Sequence, residues 1–255
     1  GRIAAGTEPI VLVGKPCDIA TVGKAAAADP TLASKLPLTI AIFCAGTPNL
    51  IATDRLLRQL GVPEDAAISE LRYRGDGWPG TMRARWRDGE GVEHHSAEVS
   101  YAKGWGGILQ SQRRWRCRIC SDHTGAFADI SVGDPWHSPP SGDRDAGRSL
   151  IVARTERGRA FVEAAIRAGA LIAAPRRRDV IARAQPNLAA THGAVWGRRL
   201  AMRVCGLPVP RDVGQMIFSV WWRLPARQKL SSFVGTWRRI ARERLWRPVR
   251  IAQGD

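Results

Sequence analysis

The sequence predicts an α/β fold: a mixed sheet flanked by helices, interrupted by an antiparallel excursion and followed by a basic helical C-terminal appendage. Three observations carry this. Two short apolar runs, residues 10–13 and 38–43, are each followed by a turn of Gly, Pro and Cys and then by a helical pattern, the tandem strand-turn-helix arrangement of a parallel layer. Residues 68–99 change texture to short alternating stretches broken by Gly-rich turns, which read as antiparallel hairpins. Between residues 176 and 250, 17 Lys plus Arg stand against Asp179, Asp212 and Glu243, so almost all of the formal net charge of +16 lies in this last part.

The first run, Ile10-Val-Leu-Val13, has the continuous apolar character of a strand buried on both faces. Gly14-Lys-Pro-Cys17 follows, and Asp18 opens an alanine-rich helix to about Ala28. The second strand, residues 38–43, ends at Cys44-Ala-Gly-Thr-Pro. A helix then runs from Asn49 to Leu60 on the spacing of Leu50, Leu56, Leu57 and Leu60, and Gly61 stops it. Ligand sites in such units gather at the carboxyl ends of strands, where Cys17 and Cys44 both fall. A free cysteine commonly packs as a small hydrophobe. Two of them at two strand ends, among Gly and Pro that admit close backbone approach, favour ligation. Lys15 beside them would offset thiolate or phosphate charge.

In the excursion, Arg72 and Arg74 adjoin the turn Gly75-Asp-Gly-Trp-Pro-Gly80. A flat aromatic, exposed amides and guanidinium groups suit the phosphates and rings of a nucleotide-containing cofactor; a tight hairpin with a packed Trp78 accounts for the same residues. His94 and His95, adjacent on an alternating strand, point to opposite faces and form no ligand pair. Cys117 and Cys120 form a C-x-x-C pair able to turn two thiolates toward a soft metal or cluster, and Ala128-Asp-Ile-Ser-Val-Gly-Asp134 reads as a short strand ending in a polar turn. His123 reads as a solvated turn residue without a role. An exposed loop over residues 137–147 leads to a strand at 148–154, a helix at 158–168 and a short strand at 171–173, which restore the α/β pattern.

Residues 1–175 are expected to form the core and residues 176–255 a basic helical region. Within the latter, residues 177–205 read as helical with Cys205 packed at their end. Residues 216–246 form a tryptophan-bearing amphipathic pattern broken at Pro225. It suits an anionic membrane surface or an acidic partner, but packing of its apolar face on the core or on a second copy is favoured. Only five of the 39 basic residues are Lys, so part of the arginine richness reflects a GC-rich coding bias, and nucleic acid is not an expected partner. A chain of 255 residues with 44% hydrophobic content buries a sizeable core, and no apolar run is long enough to span a membrane. Five cysteines without a disulfide-like pattern point to a reducing, cytoplasmic setting. The first residue is Gly1, and an N-terminal portion is expected to be missing.

The series Gly14-Lys-Pro-Cys17, Phe43-Cys44-Ala-Gly-Thr-Pro48, Tyr73-Arg-Gly-Asp-Gly-Trp-Pro-Gly80, Arg116-Cys-Arg-Ile-Cys-Ser-Asp122, Ala128 to Trp136 and Gly147 to Gly158 resembles the coenzyme F420 hydrogenase/dehydrogenase beta-subunit family, which includes chlorophyll-biosynthesis reductases. The resemblance implies an FAD- and [4Fe-4S]-dependent oxidoreductase. Cys17, Cys44, Cys117 and Cys120 would be the cluster ligands. Lys15, Arg74, Gly77, Trp78, Asp129, Ser131, Gly133 and Asp134 would contribute to the flavin pocket. It further implies a small-molecule substrate, either the deazaflavin coenzyme F420 or a chlorophyll-type tetrapyrrole, and an electron-donor protein such as ferredoxin or a partner redox subunit. No side chain is singled out as a catalytic acid or base, because the cofactors carry the chemistry. The ferredoxin-like cysteine-rich segment with which many members begin does not occur in this sequence. The alternative is a zinc-stabilised basic binding module.

Overall fold

The structure, a computed structural model, describes residue 6 and residues 8–75, 77–140 and 147–247. Asp76, most of the loop expected at 137–147, and the last eight residues of the basic region lie outside the described residues.

The first sheet contains β1 (Val11–Gly14), β2 (Leu38–Ile42), β7 (Ile130–Gly133) and β8 (Leu150–Ala153), in the order β1-β2-β7-β8. β1, β2 and β7 run parallel, and β8 is antiparallel to β7. The carboxyl ends of three strands therefore open on one edge. Helix α1 (Pro16–Ala28) follows β1 directly, with Pro16 in its first turn, and the Asp18 carboxylate reaches back to accept from the Lys15 N–H at 3.0 Å. A short α2 (Pro30–Ser34) is capped by Asp29, and α3 (Leu50–Gln59) by Asn49, which accepts from the Ala52 N–H. Contrary to the expectation for residues 10–13, β1 is an edge strand: Ile19 and Leu12 pack with Ala41 and Ala128 on one side, while Val11 and Val13 are about half exposed on the other.

The excursion is a second, antiparallel sheet of β3 (Ala67–Arg72), β4 (Thr81–Arg87), β5 (Glu93–His95) and β6 (Val99–Ser100), with β4 pairing all three others. Its inner face, through Met82, Ala84 and Val99, packs on Leu56 and Leu60 at the α3 side and on Leu109. Each large buried side chain here contributes about 1.5–3 kcal/mol. Residues 102–109 form a wide π-helical turn that carries Trp105, and α4 (Trp115–Arg118) holds Cys117.

After α5 (Glu156–Arg167), residues 171–173 form no strand, because no neighbouring strand pairs with them. The chain continues in α6 (Val180–Ala184), α7 (Leu188–Val204), α8 (Ile217–Trp222) and α9 (Ala226–Glu243). α7 and α9 pack on the cysteine segment: Met202 and Ile240 enclose Ile119, with Trp115 and Cys205 at the margin. Arg199 is buried, pairs with Asp212 and donates to the Ile119 carbonyl at 2.8 Å. Among the described residues no helix is long and apolar enough to cross a membrane.

Candidate functional site

The open edge of the first sheet faces two adjoining cavities. The smaller, about 20 Å³, is lined by Cys17, Cys44, Cys117, Cys120, Asp122 and His123. Three separate stretches bring the thiols there: Cys17 from the first turn of α1, Cys44 from just beyond the end of β2, and the C-x-x-C pair, with Cys117 on α4 and Cys120 in the turn behind it. Backbone amides point at two of the sulfurs, the Gly46 N–H at Cys44 Sγ (3.4 Å) and the Thr47 N–H at Cys117 Sγ (3.3 Å). Gly46 has φ +111°, and a Cβ there would stand 2.8 Å from Arg113 Cδ and 3.2 Å from Cys117 Cβ. The position therefore needs glycine for both conformation and space.

Burial pushes the Cys44 thiol above its usual pKa, and the neighbouring Cys117 and Cys17 push the same way. Burial likewise raises Cys120. Assembled thiolates repel each other, so this set is suited to ionise against a positively charged group. Among the described residues no three His, Cys, Asp or Glu side chains converge closely enough to ligate one metal ion. Cys17 is exposed at the outer edge, so the space opens to the surface there. Lys15 lines neither cavity; it pairs with Asp18 at 2.7 Å within electrostatic reach of Cys17 and Cys44.

The larger cleft, about 980 Å³, lies between the sheet edge and α7 and α9, and Cys44 and His123 belong to its wall as well. Its size is that of a pocket for a cofactor or a substrate of similar bulk. Of the residues expected at a flavin, Arg74, Gly133 and Asp134 line it. Arg74 pairs with Asp134 at 2.6 Å and lies over the rings of Tyr101 and Trp136, with its guanidinium carbon 5.6 and 5.7 Å from their centroids. A Cβ on Gly133 would come within 2.3 Å of the Phe43 ring, so the strand end passes close beneath that side chain. Trp78 does not line the cleft but packs on Trp136, with ring centroids 4.9 Å apart, and Gly77 belongs to the turn behind it.

Asp129 and Ser131 lie away from the cleft. Asp129, at the amino end of β7, accepts from the Thr39 N–H and hydroxyl, the Thr155 hydroxyl and the Arg157 guanidinium. Ser131 is fully buried, donating to the Gly125 carbonyl and accepting from Arg154. Both side chains tie elements of the fold together.

Sequence reasoning missed several residues of the wall. His123, read as solvated, is mostly enclosed: its Nδ1–H donates to the Cys44 carbonyl at 3.1 Å, and its Nε2 is buried without a partner. Burial holds its pKa below the ordinary imidazole value. Tyr101, Trp105 and Trp136 form an aromatic wall, and burial raises the Tyr101 pKa. The spacing of Tyr101 and Trp105 was a local signal for this wall. Arg113, Arg118, Arg198 and Arg239 also line the cleft. Burial lowers the pKa of Arg198 to about 10, and the other three arginines add to the effect.

Residues 7–178 match the family described as coenzyme F420 hydrogenase/dehydrogenase, C terminus of the beta subunit. The chain is also similar in fold to a chain in a solved structure of the F420-reducing [NiFe] hydrogenase complex from Methanosarcina barkeri, with 17% identity and a TM-score of 0.50. The likeness covers 80% of this chain and 65% of that one, so this chain spans less than two thirds of its relative. No curated protein matches.

Proposed function

Because this chain belongs to the coenzyme F420 hydrogenase/dehydrogenase beta-subunit family through residues 7–178, we propose that it is an oxidoreductase with a [4Fe-4S] cluster at its four cysteines and FAD in the adjoining cleft. The observation that carries this reading is the shared wall: four thiols from three stretches line one cavity, and Cys44 and His123 line the cleft next to it as well. The donor set fits a cluster in kind and number. A structural zinc site usually draws its donors from two close C-x-x-C-like knuckles, whereas only Cys117 and Cys120 are so spaced here and Cys17 and Cys44 stand singly at strand ends. When bound, the two groups would supply exchange between one-electron carriers and a two-electron substrate.

The chain's own residues have distinct tasks in this reading. Cys17, Cys44, Cys117 and Cys120 hold the cluster, and the Gly46 and Thr47 amides moderate the charge on two sulfurs. The rings of Tyr101, Trp105 and Trp136, with Arg74 held over two of them by Asp134, offer an aromatic wall against which an isoalloxazine would pack. His123 presents an unpaired Nε2 acceptor between the two cavities; its Nδ1 proton is committed to the Cys44 carbonyl. Coenzyme F420 and a chlorophyll-type tetrapyrrole are the substrate classes proposed, and a redox protein such as ferredoxin or a partner subunit the electron donor.

The test is anaerobic purification with a visible spectrum before and after dithionite, together with iron, sulfide and flavin assays. Flavin bands over a broad absorbance that bleaches on reduction, lost in part in Cys117→Ser, are expected. A colourless protein with stoichiometric zinc would overturn the proposal. Reoxidation of the reduced protein by F420 or by a chlorophyllide distinguishes the substrates.

A further inference from the structure

Four guanidinium groups share one part of the cleft wall: Arg113 from the stretch before α4, Arg118 at its end, Arg198 on α7 and Arg239 on α9. Each lies within electrostatic reach of others in the set. Backbone carbonyls hold three of them in place: Arg113 donates to Ala45 at 2.9 Å, Arg118 to Ser111 at 2.9 Å and Arg198 to Arg118 at 2.7 Å. Among the described residues none of these three pairs with a carboxylate. Arg239 bonds Glu243 at 3.0 Å. The Nε of Arg113 is buried without a partner.

A surface arginine surrounded by like charge ordinarily swings into water. These four are partly buried and tethered, and a guanidinium has five N–H donors, so a tether of one or two bonds leaves most of each fork unused. Glu243 is the only acid bonded to the set among the described residues, and although the Cys117 and Cys44 sulfurs offset part of the charge at Arg113, an excess of positive charge remains on the four. One carboxylate would neutralise too little of it, whereas a phosphoryl group matches the forks in shape and carries more charge. We propose that this wall binds a multiply charged phosphoryl group, of the kind found in a nucleotide diphosphate or a phosphorylated substrate, and that α7 and α9 complete the site. Arg198 and Arg239 lie beyond the residues that match the family, so the site belongs to the C-terminal region of this chain as much as to the matched core. It stands whether or not the cysteines hold a cluster.

The probe is inorganic pyrophosphate, titrated calorimetrically into the full chain at low salt, both as purified and after saturation with FAD. Wild-type protein should bind it. The double variant Arg198→Gln/Arg239→Gln should bind at least about tenfold more weakly, the loss of one or more charge-assisted hydrogen bonds. Its melting temperature without pyrophosphate should stay close to that of wild type, because removal of like charges offsets the lost bonds from Arg198 to the Arg118 carbonyl and from Arg239 to Glu243. Arg203→Gln, on an exposed position of α7, should bind as wild type does. If the double variant fails to fold, Arg239→Gln alone serves, with weaker binding expected. Binding abolished by FAD assigns the site to the cofactor's diphosphate; binding that persists assigns it to a separate phosphorylated ligand. Equal affinity in wild type and variant, or no binding by wild type in either form, would overturn the proposal. A colourless protein that binds pyrophosphate would sink the redox reading and leave this one standing.

Discussion

Replacing Asp129 by Asn separates two roles for that residue, contact with a flavin and support of the sheet. Its carboxylate is buried at the amino end of β7, where it accepts from Thr39 of β2, from Thr155 at the start of α5 and from both Nε and a terminal nitrogen of Arg157 at 3.1 and 2.8 Å. Asn keeps the shape but sets an NH₂ against one of these donors. Removing one partner of a buried ion pair costs about 3–5 kcal/mol. The Arg157 side chain is 56% exposed, so solvent screens the attraction and the lower end, about 3 kcal/mol, is expected at neutral pH. For a chain of this size that is roughly 6–12 °C in melting temperature. Although burial opposes it, the bonds from Arg157, Thr155 and Thr39 hold the folded carboxyl below its ordinary pKa. Its stabilisation is therefore fully present above the unfolded value of about 3.9 and is lost as pH falls through the folded value. The gap between wild type and Asp129→Asn, measured by urea denaturation, should be constant from neutral pH down to about 5 and narrow below about 4. A gap under about 0.5 kcal/mol at neutral pH, or one that widens in acid, would refute the reasoning. A variant of unchanged stability that loses flavin would make Asp129 a cofactor contact.

Arg199→Ala should cost about 3–5 kcal/mol, because it leaves Asp212 and the Ile119 carbonyl without their buried donor; calorimetric melting reads it. Gly46→Ala places a methyl group against Arg113 and Cys117 in a left-handed conformation, and iron bound per chain should fall well below the wild-type amount. Arg74→Gln breaks an ion pair whose side chains are each about one third exposed, so stability should change by no more than about 1 kcal/mol. Fluorescence titration should nonetheless show weaker flavin binding, and unchanged binding would remove Arg74 from the site.

What the sequence discloses depends on how local its cause is. β2, β7 and β8, the helices after β1 and β2, and the hairpins of the second sheet follow from apolar runs, caps and turns, all readable within a dozen residues. The burial of β1 was misread because an apolar run does not say whether a neighbour covers its second face, and Val11 and Val13 are left without one. Arg74, Gly133 and Asp134 were legible as cleft residues because they sit at a turn and at a strand's carboxyl end. Asp129 and Ser131 lie on the same motif, yet their partners Thr39, Arg154 and Arg157 are remote in sequence, and those partners turn them inward. His123 looked solvated for want of knowing that the end of β2 and α7 close around it. The arginine set was the least visible, since residues 113 and 239 meet only when two regions of unlike composition dock.

The manner of that docking has an evolutionary consequence. Arg198, Arg199 and His192 grip the carbonyls of Arg118, Ile119 and Ser121, and Gln185 grips that of Asp134. Every protein chain of this fold has main-chain oxygens at those places, whatever side chains it displays. A helical segment whose polar grip is on backbone needs matching changes in the core only where its apolar side chains meet it, as Met202 and Ile240 do at Ile119. The back wall of the cleft thus leans on the core partly through groups that side-chain replacement leaves in place.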